Sequence, residues 1–424
     1  MNQALFNYIA ASPTAFHAVA HTASMLDAAG YTHLYENCVW NLEPGKGYYV
    51  TRNGSSLIAF RVPSGEYSGF MMTAAHCDSP CFKIKENAEL ADGHYVRLST
   101  EKYGGMLCST WMDRPLSVAG RITVRTVGGI EVRLVDMKDT FVMIPNVAIH
   151  MNRQANDGMK YNPAVDMLPV YGTKSDKGTF RARVAACAGV DEKDIITTDL
   201  FVYNPDQGKE WGGYVSAPRL DDLQCAFCAL TAFMDAKENA SVPVYCLFDN
   251  EEVGSETKQG AASTFLADVL GRIAGGGDAL RCHVANSFLI SCDNAHAVHP
   301  NHPEYMDKNH AVYMNEGVVI KYNANQKYTS DAVSAAIFRL VCEGVEVPVQ
   351  MYANRADMPG GSTLGNIANT QVSLNTVDIG LPQLAMHSAY ETAGAADGEY
   401  MVRALTSFYS KALRMDTDGS YRLI

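Results

Sequence analysis

The sequence predicts an α/β fold in which a mixed, mostly parallel sheet is covered by helices on both faces and interrupted by an inserted, mostly β domain. Residues 69–75 and 242–248 are continuous apolar runs, which is typical of strands buried on both faces. A long stretch of chain separates them, and within residues 89–213 the pattern changes to short alternating strands. Residues 121–125 and 131–135, on either side of a Gly-Gly pair, indicate a hairpin.

These boundaries divide the chain into three parts. Residues 1–88 form the first part of a catalytic domain, residues 89–213 an inserted dimerisation or lid domain, and residues 214–424 the second part of the catalytic domain. A chain of 424 residues is too long for one core of ordinary size, which also favours two domains. Helical patterns at 330–342 and 399–415 are expected to cover the faces of the sheet.

Composition excludes several classes of protein. A hydrophobic content of 47% with 19% charged residues excludes a mainly disordered chain. The net charge of -12 argues against nucleic acid as a partner. No apolar run is long enough to cross a membrane, and the amino terminus lacks the pattern of a signal peptide. Eleven scattered cysteines suggest reduced thiols, so we expect a soluble, cytoplasmic protein without membrane partners.

Several predicted strands and one predicted helix place a histidine or a carboxylate at their ends. These residues are His76, Asp221, the pair Glu251 and Glu252, Asp293 and His387. The carboxyl edge of an open α/β sheet is where such proteins place their chemistry. Adjacent side chains on an extended backbone point to opposite sides, so the two glutamates are expected to have different roles.

Mixed imidazole and carboxylate ligands in this number predict a site for two divalent ions. We expect Asp221 to bridge the ions, with His76 and Asp293 completing one site and Glu252 and His387 the other. Zinc is the expected metal, and manganese and cobalt are compatible with the same ligands.

Glu251 is left over from this ligand set and is predicted to be the general base. It would deprotonate a solvent molecule between the ions and return the proton to the leaving amine. Asp78, two residues after His76, could hydrogen-bond the imidazole and orient it, although a turn-capping role is an alternative.

Short motifs along nearly the whole chain resemble those of the aspartyl aminopeptidases. They are His-x-Asp at 76–78, Arg-Leu-Asp-Asp-Leu at 219–223, Asp-Asn-Glu-Glu-Val-Gly-Ser at 249–255, Asp-x-x-His-Ala-x-His-Pro at 293–300, Gly-Ser-Thr at 361–363 and Met-His-Ser at 386–388, with further similar segments at 12–19, 111–117 and 144–153. The resemblance implies a dizinc exopeptidase that removes one amino-terminal residue from peptides. It also implies a homododecamer with tetrahedral symmetry, built from dimers through the inserted domain.

The resemblance assigns the same roles to the six residues above and makes Asp78 the supporting aspartate. It further implies a preference for amino-terminal Asp or Glu, with Lys321 as the cation of the substrate pocket. Tyr328 and Met386 match other substrate-contacting positions, and His150 matches a histidine that reaches the active site of a neighbouring subunit. From the residues alone, Lys321 could equally extend its ammonium group to solvent. The residues around His150 favour an ordinary histidine within a strand over a functional one.

The chain departs from the family pattern at four positions near these motifs. Asn250 replaces a histidine, Gly360 replaces a cysteine, and Ala389 and Tyr390 replace isoleucine and arginine. None is a metal ligand or the base, but we expect them to change the wall of the substrate pocket. A preference for neutral amino-terminal residues therefore remains open.

Three other functions share some of these residue types, and the sequence bears on each of them. A metal-dependent amino-acyl amidohydrolase would use the same ligands. A non-catalytic assembly protein would be favoured by a missing ligand or base, and all six residues are present. A glycosidase requires two acids that face each other across a sugar, which the neighbours Glu251 and Glu252 cannot do.

Overall fold

The computed structural model describes residues 1–138 and 141–424, and within these ranges the chain forms nine α-helices and 22 strands. The helices are α1 (Asn2–Ala10), α2 (Ala15–Ala28), α3 (Phe180–Ala188), α4 (Leu220–Asp235), α5 (Phe265–Ala274), α6 (Gly277–Ala285), α7 (Ala332–Glu343), α8 (Leu364–Ala368) and α9 (Asp397–Tyr409). The strands are β1 (Thr32–Leu34), β2 (Gly47–Arg52), β3 (Ser56–Arg61), β4 (Phe70–His76), β5 (Cys81–Ala91), β6 (Tyr95–Tyr103), β7 (Ser117–Thr126), β8 (Gly129–Asp136), β9 (Val170–Thr173), β10 (Ile195–Tyr203), β11 (Lys209–Trp211), β12 (Tyr214–Ala217), β13 (Val242–Phe248), β14 (Phe288–Cys292), β15 (Ala295–His296), β16 (Val318–Tyr322), β17 (Val349–Ala353), β18 (Asn375–Gly380), β19 (Pro382–Leu384), β20 (Glu391–Gly394), β21 (Leu413–Thr417) and β22 (Ser420–Leu423).

The largest sheet has nine strands in the order β1-β2-β3-β13-β4-β14-β18-β16-β17. Five of its eight neighbouring pairs are parallel, so the predicted mixed, mostly parallel sheet is confirmed. The apolar runs at 69–75 and 242–248 are its central strands β4 and β13, paired in parallel from Val242 with Phe70 to Phe248 with His76.

Helices cover both faces of this large sheet. On one face, α4, α7 and α9 pack against alternate strand residues such as Met71 and Tyr245. On the other face, α5 and α8 pack against the intervening residues such as Met72 and Val244. Phe233 of α4 is fully buried on the first face, and such burial contributes about 1.5–3 kcal/mol to the free energy of unfolding.

A separate six-stranded sheet has the order β8-β7-β10-β5-β6-β9, and every pair in it is antiparallel. It has its own apolar core, which includes Phe82, Leu98 and Trp111. Its first strand, β5, begins at Cys81, shortly after the end of β4. The mostly β character predicted for this region is therefore present, whereas the division into domains at 88/89 and 213/214 stays a prediction.

One predicted helix is shorter than expected. The pattern at 399–415 suggested a helix to Met415, but α9 ends at Tyr409, and residues 413–417 form β21, which pairs with β22. The Asp418-Gly419 turn between the two strands explains the difference, because Asp-Gly favours a tight hairpin. No helix within the described ranges is long and apolar enough to cross a membrane.

Candidate metal centre

The candidate site lies at the carboxyl ends of three adjacent parallel strands, β13, β4 and β14. His76 is the last residue of β4, Asp293 follows β14, and Glu251 and Glu252 lie in the turn after β13. Parallel strands end at the same edge, so these side chains meet there. Asp221 joins them from the start of α4, and His387 from the loop after β19. The structure thus brings together all six predicted residues.

The carboxylate of Asp221 lies between two histidines. Its Oδ1 is 3.5 Å from Nε2 of His76, and its Oδ2 is 3.3 Å from Nε2 of His387. Nε2 of His387 is also 3.4 Å from Oε1 of Glu252. Two ligands of a tetrahedral zinc, each about 2.0–2.1 Å from the ion, are about 3.3–3.4 Å apart. The observed separations therefore match ligands that share an ion.

Within residues 1–138 and 141–424, three groups of side chains have ligand atoms close enough to hold an ion. They are His76 with Asp221, Asp222 and Asp293; His76 with Glu251 and Glu252; and Asp221 with Glu252 and His387. Asp221 Oδ1 and Glu252 Oε1 are buried without a hydrogen-bond partner. Buried carboxylate oxygens are normally paired, so these unpaired oxygens fit a divalent cation as their missing partner.

Burial and crowding perturb the carboxyl groups of the site. Burial raises the pKa of Glu251 to about 8, and the neighbouring carboxylate of Asp293 acts in the same direction. Burial likewise raises the pKa of Glu252 well above its usual range, with Asp221 adding to the effect. Burial also opposes ionisation of Asp221, but the neighbouring imidazoles of His387 and His76 outweigh it and lower its pKa. Burial and mutual repulsion thus disfavour the ionised form of the two glutamates, and a bound cation would favour it.

Asp78 supports the site in two ways. The Nδ1–H of His76 donates to the Asp78 backbone carbonyl at 3.0 Å, whereas the Asp78 carboxylate is 3.5 Å away. This bond leaves Nε2 of His76 free to bind a metal. The carboxylate itself accepts the backbone N–H groups of Glu251 and Glu252, both at 3.1 Å. Asp78 therefore orients His76 through its backbone and the glutamate pair through its side chain.

Two further acidic residues of the site were not predicted as functional. Glu391 is buried and accepts the backbone N–H of Asp221 at 3.0 Å and that of His387 at 2.7 Å. Asp222, also buried, accepts the N–H of His76 at 3.2 Å. The only sequence signals were their positions, four residues after His387 and next to Asp221.

A cavity of about 180 Å³ opens onto the site. Its lining includes His76, Asp221, Glu251, Asp293, Lys321, Tyr328, Met386 and His387. Lys321 is buried rather than extended to solvent, and its Nζ donates to the carbonyls of Asp293 at 2.7 Å and Asn294 at 3.2 Å. Its ammonium also lies 5.2 Å from the ring centre of Tyr328. The predicted pocket residues are thus adjacent to the predicted metal ligands.

The remaining sequence candidates do not line this cavity. His150 is exposed in a turn, not within a strand, and does not line the cavity of its own chain. Among the described residues that line the cavity, none is Asn250, Gly360, Ala389 or Tyr390. The expectation that these four departures form part of the pocket wall is therefore not met in this conformation.

A buried cluster of histidines and carboxylates at the edge of a mixed α/β sheet is typical of metal-dependent hydrolases. Residues 8–409 match the family described as "Aminopeptidase I zinc metalloprotease (M18)". The chain is 44% identical to "Probable M18 family aminopeptidase 2" of Clostridium acetobutylicum, over 96% of this chain and 98% of that protein. This chain therefore belongs to the M18 family of zinc metallo-aminopeptidases.

Solved structures agree with this assignment. The chain is 34% identical to a protein in the "Cryo-EM structure of the Ape4 and Nbr1 complex", with a TM-score of 0.93 over 96% of this chain and 85% of that one. It is 28% identical to the subunit in the "Structure of S. cerevesiae mApe1 dodecamer", with a TM-score of 0.84 over 96% of each chain.

Removal of metal is expected to lower the thermal stability of the protein, because ions that bind only the folded state stabilise it. Free zinc at about a thousandfold above its Kd would contribute about 4 kcal/mol. We expect chelation to lower Tm, zinc to restore it, and Asp221→Asn to abolish most of this recovery. Differential scanning calorimetry measures these changes. His302→Ala, which alters an exposed histidine paired with Glu304, is the control and should respond to zinc like the unaltered protein.

Proposed function

We propose that this chain is a two-metal aminopeptidase that hydrolyses the first peptide bond of substrates with an amino-terminal Asp or Glu. The observation that carries the proposal is the shared Asp221 carboxylate, which presents one oxygen to His76 and the other to His387. A single carboxylate between two ligand groups is the arrangement of co-catalytic metal sites. His76 and Asp293 would hold one ion, and Glu252 and His387 the other.

Bound divalent ions would polarise the scissile carbonyl and lower the pKa of attacking water. Glu251 is suited to move the proton, because its side chain lines the cavity and its Oε2 lies 4.0 Å from Nε2 of His76. Its carboxylate would accept a proton from the water and donate it to the leaving amine nitrogen. The buried carboxylates of the cluster would attract the positively charged amino terminus of the peptide and so favour exopeptidase action.

The acidic preference rests on Lys321. Two of its three N–H donors are used on the carbonyls of Asp293 and Asn294, which leaves one for a substrate carboxylate. Lys321 lies in the wall of the same cavity as Glu251, with Tyr328 beside it. A buried ammonium at this place would compensate the desolvation of an acidic side chain.

A preference for neutral residues is the second candidate, and a specific contact favours it. Nζ of Lys321 is 3.5 Å from Oδ1 of Asp293, so its charge is already paired with a proposed metal ligand. Lys321 would then support Asp293 and leave the pocket without a free cation. An amino-acyl amidohydrolase would share the metal site but lies outside the activity described for the family.

Glu251→Gln is expected to retain bound zinc and lower kcat about a thousandfold, because general acid–base catalysis typically contributes about 10²–10⁴. Release of the first residue from short peptides gives kcat, and atomic spectroscopy gives the zinc content. Glu256→Gln, an exposed glutamate in the same segment, is the matched control and should keep the original rate. A rate for Glu251→Gln equal to that of the control would contradict the base assignment.

Lys321→Ala is expected to lower kcat/KM for amino-terminal Asp and Glu at least about tenfold more than for Leu or Ala. The ratio between substrates is the decisive quantity, since loss of the contact with Asp293 would weaken all reactions together. Lys327→Ala removes a nearby exposed lysine and should leave the ratio unchanged. An equal loss on every peptide would support the second candidate, in which Lys321 only stabilises Asp293.

We also propose that the chain forms a homo-oligomer, a dodecamer built from dimers, with His150 near a neighbouring subunit. In and just before the turn that contains His150, Val147, Ile149 and Met151 are exposed, the last at 82% of its surface. An exposed apolar patch of this kind is typical of protein interfaces. The dodecameric state of the similar S. cerevesiae mApe1 supports the same proposal. The cytoplasmic location expected from the sequence stays a prediction.

Met151→Asp is expected to reduce the assembly to smaller species, because a charge placed in an apolar interface is costly. Sedimentation velocity at several protein concentrations measures the size. Val39→Asp introduces the same charge at another exposed apolar position, 90% exposed, and should leave the size unchanged. Monomeric behaviour of the unaltered protein at every concentration would contradict the proposed assembly.

A further inference from the structure

The end of β6, in the six-stranded sheet, contacts the candidate metal centre directly. Tyr103, its last residue, donates its hydroxyl proton to Oδ2 of Asp78 at 2.7 Å. A Cβ added to Gly104 would lie 3.1 Å from Cβ of Glu252, so the backbone there is closely packed against that side chain. The N–H of Leu107 donates to the carbonyl of His387 at 3.0 Å. A single short segment of the six-stranded sheet region thus contacts both sides of the ligand cluster.

The direction of the Tyr103 hydrogen bond is set by its neighbours. Oδ1 of Asn250 accepts from Oγ1 of Thr257 at 2.8 Å and from Nε2 of Gln259 at 2.7 Å. The Asn250 amide nitrogen is therefore turned towards Tyr103 and donates to its hydroxyl oxygen at 2.8 Å. A phenol has one proton, and with a donor on its oxygen that proton is directed to Asp78.

Asp78, oriented by Tyr103, in turn hydrogen-bonds the backbone of the two glutamates. Its Oδ1 accepts the N–H of Glu251 and its Oδ2 that of Glu252, while Oδ2 also accepts the Tyr103 hydroxyl. Asp78 is 5% exposed, so water cannot readily replace any of these donors. Hydrogen bonds to a buried carboxylate are among the stronger ones in proteins and carry geometric precision.

We propose that Tyr103, carried by the six-stranded sheet, is a positioning residue that holds Asp78 and thereby the backbone of Glu251 and Glu252. This proposal rests on the proposed function for its kinetic consequence, but its structural part does not. Tyr103 orients the base and one proposed metal ligand through Asp78 without touching substrate. The six-stranded sheet is then part of the catalytic geometry as well as a candidate for subunit contacts.

Tyr103→Phe tests the proposal with little change in packing, because the ring, 5.7 Å from that of Phe201, is retained. We expect kcat to fall about tenfold while KM changes less than about twofold, as when positioning for the transition state is lost. Tyr171→Phe is the matched control. It removes the hydroxyl of another tyrosine in the same sheet, bonded to Thr179 at 2.6 Å, and should leave kcat unchanged.

Two measurements that do not depend on catalytic activity test the positioning role of Tyr103 independently of the proposed function. In Tyr103→Phe, amide hydrogen exchange of residues 249–256 should become faster, and zinc affinity measured by chelator competition should fall about tenfold. The control should show neither change. Original values of kcat, exchange and zinc affinity in Tyr103→Phe would overturn the proposal. Inactivity of the unaltered protein towards all peptides would instead refute the proposed function, while exchange and zinc affinity would still test the positioning.

Asn250→Asp provides an independent variant. It keeps the shape of the side chain but presents only acceptors, so the Tyr103 proton would turn away from Asp78. Faster exchange over residues 249–256 and a lower kcat are expected, in the same direction as for Tyr103→Phe. Unchanged amide hydrogen exchange over residues 249–256 in this variant would contradict the proposed chain of hydrogen bonds from Asn250 through Tyr103 to Asp78.

Discussion

The candidate site depends on one carboxylate, that of Asp221, which is buried between two imidazoles. Around it the fold gathers Asp222, Glu252 and Asp293 in a volume from which water is largely excluded. Like charges at these distances repel strongly in a medium of low dielectric constant, and the nearby cation Lys321 cannot balance all of them. Positive charge at the centre of this sheet edge would stabilise its ionised carboxylates, and the raised pKa values of Glu251 and Glu252 reflect burial and the same repulsion.

Hydrogen bonds from backbone N–H groups to two buried carboxylates help to hold this cluster in place. Glu391 accepts the N–H groups of Asp221 and His387, and Asp78 accepts those of Glu251 and Glu252. Glu391 links the start of α4 to the loop after β19, and Asp78 links the loop after β4 to the turn after β13. Within this frame, Oδ1 of Asp221 and Oε1 of Glu252 are left without a hydrogen-bond partner.

The local sequence pattern was sufficient to predict the mixed, mostly parallel sheet and the six side chains that meet at its edge. Each of these side chains follows an apolar strand or lies at the start of a helix. The pattern could not reveal the roles of Glu391, Asp222 and Tyr103, since these arise from contacts between distant segments. Helix α9 was predicted too long because an apolar pattern alone does not separate a helix end from a following hairpin, although the Asp418-Gly419 turn marked it. The proposed substrate-pocket residues, including Lys321, were located by resemblance, because the contacts that would determine specificity are not encoded in the local pattern.

The central pairing of β4 with β13 joins residue 70 to residue 242, and the last histidine of the candidate site is His387. During translation His76 leaves the ribosome long before its partners, and the group of Asp221, Glu252 and His387 cannot form until nearly the whole chain has been synthesised. Such non-local contacts also make folding slow relative to local structure formation. A nascent chain therefore lacks the complete candidate site until its synthesis is nearly finished.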